Sequence, residues 1–147
     1  SPGRAVLIDH DHTEMTYAVA MQMATHFDQI TLVTSRERIA HDVSLINRQN
    51  ILQRLFDLNI ELICHVELDT LTGLEEGRLL MKNVYNDRVS ELSDVATVVH
   101  ASSRVPNQDL LTPLRANGLE VIPIGDCRAP RSLMAATHEG YQVANTL

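Results

Sequence analysis

Apolar segments near the start of the chain alternate between the spacing of strands and the spacing of helices. A short apolar run at Arg4–Ile8 precedes a stretch from about Thr13 to Phe27 whose apolar residues recur at helical spacing, and a β-branched run follows at Ile30–Val33. The order repeats through a second helical stretch to Ile60–Ile63. Strand–helix–strand repeats of this length imply right-handed crossovers, so they predict an α/β fold with a parallel sheet and flanking helices.

The middle of the chain has a different pattern. From His65 to Leu92 apolar and polar residues alternate, and Gly73, Gly77 and the pair Asn86-Asp87 are typical turn residues. This stretch predicts an inserted antiparallel meander, after which the sequence returns to a parallel strand at Val95–Val99.

The end of the chain adds two helices and a short apolar run between them. We expect a helix from about Asn107 to Ala116, with Gly118 just beyond its end. The run Val121–Ile124 predicts a strand that leads into Gly125-Asp126, and a helix rich in small residues follows from Ser132 to Leu147. Glycine lets the backbone approach a ligand closely because it has no Cβ, and the aspartate can accept hydrogen bonds from ligand hydroxyls. This pair therefore indicates a turn that contacts a nucleotide.

These segments resemble the family of flavin and iron–sulfur oxidoreductases that includes the trimethylamine and histamine dehydrogenases and the bacterial dienoyl-CoA reductases. The similarity extends from Arg4 to Leu147 and covers both the C-terminus and the nicotinamide-nucleotide-like small domain of that family. The stretches that carry it are Val6–His12, Ile30–Thr34, Arg104–Asn107 and Ile124–Arg131, with Ala136, Gly140 and Ala144 behind the last.

The resemblance implies that residues 1–147 form a single nucleotide-binding-like domain, the C-terminal part of a larger oxidoreductase. Residues 1–100 would form a nicotinamide-nucleotide-like lobe, and residues 101–147 would return toward the flavin or ADP lobe. The start at Ser1-Pro2-Gly3, without an initiator Met, agrees with an excised piece of a longer protein.

The same resemblance implies which cofactors the parent enzyme would use. It would carry FMN in an old-yellow-enzyme-like barrel and an iron–sulfur cluster, both outside this chain, and would act on an amine, an N-methyl compound or an enoyl substrate. Gly125 and Asp126 would contact FAD or ADP, shared with the missing lobe.

The turn after the first strand lacks the glycines of a dinucleotide site. A Gly-x-Gly-x-x-Gly turn lets the pyrophosphate approach the backbone, whereas this chain has Asp9–Glu14, which contains no glycine and three acidic residues. We therefore expect a degenerate site that binds NADH or NADPH poorly, with the acidic residues acting as an N-terminal cap for the helix. The remaining candidates for nucleotide contact are Arg36 and Arg38 after the second strand and Arg104 after the fourth parallel strand.

The acidic and histidine residues of Asp9–His12 raise two further possibilities. Alternating residues of an extended segment point to opposite sides, so at most two of them could share a metal ion, and no further ligands are evident. A phosphoacceptor receiver domain also has an acidic pair after its first strand, but it needs a lysine after its fifth, and the only lysine is Lys82 in the predicted meander. The sequence predicts neither a metal site nor a catalytic residue.

Composition restricts the partners of the chain. The net charge is −7, from 12 basic and 19 acidic residues, and the basic ones are scattered, which argues against nucleic acid. No apolar run approaches the length of a membrane span, so no membrane partner is expected. The two cysteines, Cys64 and Cys127, favour a cytoplasmic location and are too few for an iron–sulfur cluster within the chain.

Two classes of function follow from these observations. As part of an oxidoreductase, the domain would have the remainder of the parent enzyme as its partner. Alternatively, it would be a non-enzymatic nucleotide-like module for packing or subunit assembly, and association between copies stays open.

Overall fold

The structure is a computed structural model that describes residues 3–146. The predicted features at Ser1, Pro2 and Leu147 lie outside the described residues. The chain divides into two compact units, the first ending at Ser103 and the second beginning at Arg104.

The described residues of the first unit form seven strands, two α-helices and a 3-10 turn at Leu74–Glu76. In chain order the strands and α-helices are β1 (Arg4–Asp9), α1 (Glu14–Met23), β2 (Gln29–Val33), α2 (Leu45–Asp57), β3 (Glu61–Ile63), β4 (Val66–Thr70), β5 (Leu79–Asn83), β6 (Val89–Leu92) and β7 (Val95–Ala101). A parallel sheet has the order β3-β2-β1-β7, and an antiparallel sheet has the order β4-β5-β6. The predicted fold class, a parallel sheet with flanking helices and an inserted meander, is confirmed.

The core of this unit lies on both faces of the parallel sheet. Ala5 and Leu7 of β1 pack with α1 and α2, whereas Val6 and Ile8 pack with residues of the meander. Because β1 is covered on both faces, its residues form a continuous apolar run instead of alternating with polar ones. Leu55 is the buried residue of α2 and contributes to the helix-side core.

Three helix boundaries differ from the prediction, and the last helix, expected to reach Leu147, ends at Ala144. Helix α1 ends at Met23, because the following residues form tighter turns in which the amides of Thr25 and His26 bond three residues back. The helix predicted from Asn107 begins only at Leu111, since the Asn107 side chain accepts the amide of Asp109 in a turn that precedes the helix.

The second unit contains α3 (Leu111–Ala116) and α4 (Leu133–Ala144), with a 3-10 turn at Gly125–Cys127 between them. Ser132 caps α4 by accepting the amide of Ala135 at 3.2 Å. The strand predicted at Val121–Ile124 is wrong. Its backbone is extended at Ile124, but the described part of this unit provides no neighbouring strand with which it could pair.

Burial within the second unit is sparse. Among its described residues only Gly125 and Glu139 are buried, and every residue of the apolar core belongs to the first unit. No helix in the described part of the chain is long and apolar enough to cross a membrane.

Candidate functional site

The carboxyl end of β1 leads into a buried hydrogen-bond network. The Asp9 carboxylate is fully buried and accepts the backbone amide of His12 at 2.8 Å and the hydroxyl of Tyr17 at 2.6 Å. The Tyr17 oxygen in turn accepts the backbone amide of Ala40, from the loop between β2 and α2. In dinucleotide-binding folds this first strand–helix turn carries the phosphates. In this chain the turn instead surrounds the side-chain carboxyl group of Asp9.

The protonation of Tyr17 suits this network. Burial, and then the hydrogen bond to Asp9, raise the pKa of the Tyr17 phenol well above its usual value, so the hydroxyl keeps the proton that it donates. His12 also lies close, with Nδ1 3.3 Å from Asp9 Oδ2, and its backbone has a left-handed φ of 55°. A residue with a side chain thus occupies a conformation that favours glycine.

The predicted acidic cap is correct only in part. Glu14 lies in the first turn of α1, where its charge interacts favourably with the helix dipole. Its Oε1 accepts a hydrogen bond from the side-chain Nδ2 of Asn47 at 2.7 Å. Asp11 accepts the hydroxyls of Thr13 and Thr16. Asp9 is not part of a solvated cap, because its carboxylate is buried against α1.

Two histidines meet at the carboxyl edge of the parallel sheet. His10 follows β1 and His100 lies near the end of β7; their ring centroids are 4.8 Å apart, and His100 Nε2 is 3.4 Å from His10 Nδ1. The His10 amide donates to the Ala101 carbonyl at 2.9 Å. Burial, and then the neighbouring His100 and His12, lower the pKa of His10. Sequence reasoning missed this pair, although both residues end strands that the α/β pattern places at one edge.

A small groove lies beside this histidine pair. Its volume is about 230 Å³, and its polar lining includes Asp11, Thr16, His100 and Ser102. In the parallel sheet the chain adds β2 and β3 on one side of β1 and then places β7 on the other side. The strand order therefore reverses between β1 and β7. Ligands of open α/β sheets commonly bind at such a reversal, and this groove lies at its edge.

The three candidate arginines are divided between the two units: Arg36 and Arg38 belong to the first and Arg104 to the second. Arg36 and Arg38 are exposed on the loop after β2, where Arg38 is 3.7 Å from Glu37. The Arg36 carbonyl accepts the amide of His65 at 3.1 Å, which ties this loop to the turn before β4. Arg104 is exposed at the beginning of the second unit.

Gly125 and Asp126 begin the 3-10 turn that precedes α4. Gly125 is buried with a left-handed φ of 60°, and a Cβ at this position would lie 3.1 Å from Ala136 Cβ. Glycine is thus required both by the backbone conformation and by close packing against α4. Asp126 is exposed next to it, so its carboxylate is open to solvent and to a ligand.

Metal ligands and reactive groups are not gathered in the described residues. No three His, Cys, Asp or Glu side chains among residues 3–146 lie together in a way that could hold a metal ion. Cys64 and Cys127 are free thiols. Lys82, which a receiver domain would need at its phosphorylation site, pairs with Glu67 at 3.5 Å and Asp87 at 3.7 Å in the meander.

The fold defined by these elements is Rossmann-like, and solved oxidoreductases share it. Histamine dehydrogenase from Rhizobium sp. 4-9 is 25% identical with a TM-score of 0.86, and the match covers 100% of this chain and 23% of that protein. The 6-hydroxypseudooxynicotine amine oxidase HisD from Pseudomonas geniculata N1 is 19% identical with a TM-score of 0.83, covering 95% of this chain and 21% of that protein.

A third similar structure is 2-naphthoyl-CoA reductase in complex with 2-naphthoyl-CoA. It is 20% identical with a TM-score of 0.69, and the match covers 98% of this chain and 21% of the reductase. The chain therefore spans less than a quarter of the length of these proteins. No protein-family model and no curated protein matches the sequence. The resemblance to the flavin and iron–sulfur oxidoreductases is confirmed by these structural similarities.

Replacing Tyr17 by Phe tests the buried network. The substitution removes a donor from the buried Asp9 carboxylate and an acceptor from the Ala40 amide. We expect the free energy of unfolding, measured by urea denaturation, to fall by about 1–3 kcal/mol, the scale of a lost buried hydrogen bond. Tyr85→Phe is the matched control, because Tyr85 is 75% exposed and should change stability by less than about 0.5 kcal/mol. Equal effects of the two variants would contradict the role of the network.

His10 provides a prediction of pH dependence. Because its pKa is lowered in the folded protein, the unfolded chain takes up this proton more readily, and the contribution of His10 to stability is lost as pH falls below the usual value of 6.5. Replacing His100 by Ala removes a cause of this shift, so the pKa of His10 should rise toward 6.5 in an NMR titration. His26→Ala, just after α1, is the control. A His10 titration that is the same in His100→Ala and in the unmodified protein would show that the two rings do not interact.

Proposed function

We propose that this chain is the C-terminal nucleotide-binding-like part of an oxidoreductase that contains FMN and an iron–sulfur cluster. The parent enzyme would act on an amine, an N-methyl compound or an enoyl substrate in the cytoplasm. The observation that carries the proposal is the similarity to histamine dehydrogenase over the whole of this chain. The FMN and the cluster would be bound outside residues 1–147, since this chain has only two cysteines.

Within that enzyme the first unit would have a degenerate dinucleotide site. Its first turn has no glycine, and the buried Asp9 carboxylate lies where a phosphate would need backbone donors. A nucleotide phosphate would meet like charge from Asp9 and Asp11 at this position. Only Arg36 and Arg38 offer positive charge on the neighbouring loop, and Arg38 is close to Glu37.

We expect weak binding of NADH and NADPH for this reason. Titration of the protein with either nucleotide, followed by nicotinamide fluorescence, should give no saturation at micromolar concentrations. Any residual binding should weaken further in an Arg36→Ala, Arg38→Ala double variant, with Arg88→Ala in the meander as the control. Micromolar affinity at moderate salt would contradict a degenerate site.

The second unit would contact FAD or ADP held by the missing lobe. Its Gly125-Asp126 turn brings a close backbone and an exposed carboxylate together, and a ribose offers hydroxyl donors to that carboxylate. Further support comes from its exposed apolar side chains, because a unit with so little buried surface needs another surface to cover them. The remainder of the parent enzyme is the proposed partner.

Replacing Asp126 by Ala in the complete protein tests this contact. We expect ADP or FAD to bind more weakly by about 1–3 kcal/mol, the scale of a hydrogen bond to a charged group. The FMN content should be unchanged, because FMN would be bound elsewhere. Asp109→Ala, also exposed in the second unit, is the control. An unchanged content of FAD or ADP in the Asp126→Ala protein would contradict the proposed contact between this turn and a nucleotide.

The second candidate is a non-enzymatic module for packing or subunit assembly. The exposed apolar residues of α4 favour it as much as they favour a nucleotide lobe. The Asp126→Ala experiment distinguishes the two proposals. If the chain is an assembly module, Asp126→Ala keeps the association state of the unmodified protein, and nucleotide binding does not depend on Asp126.

A further inference from the structure

Glu139 is a buried carboxylate that no nucleotide contact accounts for. It lies within α4, is one of the two buried residues of the described second unit, and its Oε2 accepts the backbone amide of Gly125 at 2.8 Å. Its other oxygen, Oε1, accepts from Arg131 and lies 3.6 Å from the guanidinium of Arg128. Both oxygens of the carboxylate therefore have partners: an amide of the turn for Oε2 and two arginines for Oε1.

The turn has hydrogen bonds of its own, since the Gly125 carbonyl accepts the amides of Arg128 and Ala129 at 3.0 Å. Among the contacts of the Gly125 amide, the one to Glu139 connects the turn to α4. The left-handed conformation of Gly125 is unfavourable for other residues, and its amide would otherwise be buried without an acceptor. Because Glu139 accepts that amide, the rigid helix α4 fixes the position of the turn. The next residue in the chain is Asp126. The backbone position from which its exposed carboxylate extends therefore depends on the same contact.

We propose that Glu139 is the positioning residue of the Gly125-Asp126 turn, and that nucleotide binding at Asp126 depends on its hydrogen bond to the Gly125 amide. This inference rests on the proposed function of Asp126. Glu139 itself does not touch the nucleotide. Arg131 and Arg128 place opposite charge beside its Oε1.

Two substitutions of Glu139 separate the hydrogen bond from the charge. Glu139→Ala removes the acceptor of the Gly125 amide, whereas Glu139→Gln keeps a carbonyl oxygen that can accept it. We expect calorimetry with ADP on the complete protein to give about tenfold weaker binding for Glu139→Ala, equivalent to about 1.4 kcal/mol. Glu139→Gln should restore most of the affinity. Glu120→Ala is the matched control, because Glu120 is exposed in the same unit.

The double variant Asp126→Ala, Glu139→Ala shows whether the two residues act together. If Glu139 acts through the turn, the double variant should bind ADP no more weakly than Asp126→Ala alone. Additive losses would overturn the inference, as would equal losses in Glu139→Ala and Glu139→Gln. Normal ADP binding by Glu139→Ala, with weakened binding by Asp126→Ala, would overturn the role of Glu139 and leave the proposed function intact. Normal binding by Asp126→Ala would overturn both.

Discussion

One buried carboxylate, that of Asp9, connects the elements at the end of β1 in the first unit. A polar side chain that is removed from water needs hydrogen-bond partners within the protein, and Asp9 finds them in the His12 amide and the Tyr17 hydroxyl. Tyr17 then links α1 to the amide of Ala40 on the next loop. The turn, the helix and the loop are thereby fixed to the end of β1. These contacts lie in the turn that carries phosphate in dinucleotide-binding folds, which supports the proposed degenerate site.

Much of the first unit could be predicted from sequence, because its elements are specified by local patterns. A strand buried on both faces must be apolar throughout, as β1 is, and the change to alternation in the meander marks a sheet with different surroundings. The strand predicted at Val121–Ile124 is the instructive error. Its apolar residues satisfy the pattern, but a strand also needs a partner for its backbone groups, and local sequence carries no information about that partner.

The candidate site was only partly accessible to the same reasoning. Gly125 and Asp126 are recognisable because a glycine after an apolar run marks a turn whose backbone other residues adopt only with strain. Glu139 was missed because an acidic residue on a helix is ordinarily solvated, and its contact with Gly125 spans a separation of 14 residues. The pairing of Asp9 with Tyr17 was missed for a related reason: in an acidic turn, which carboxylate is buried depends on the helix that packs over it.

The two units differ in the interactions that stabilise them, and this difference indicates which residues of the second unit are available to another surface. The first unit buries apolar residues on both faces of its sheet, which is the main favourable contribution to folding. In the second, the interior contacts are polar and centre on Glu139, while Leu133, Met134 and Tyr141 of α4 are 82%, 79% and 71% exposed. The small residues of α4 already pack on the turn, since Ala136 lies against Gly125. Its large apolar residues are thus the ones available to another surface.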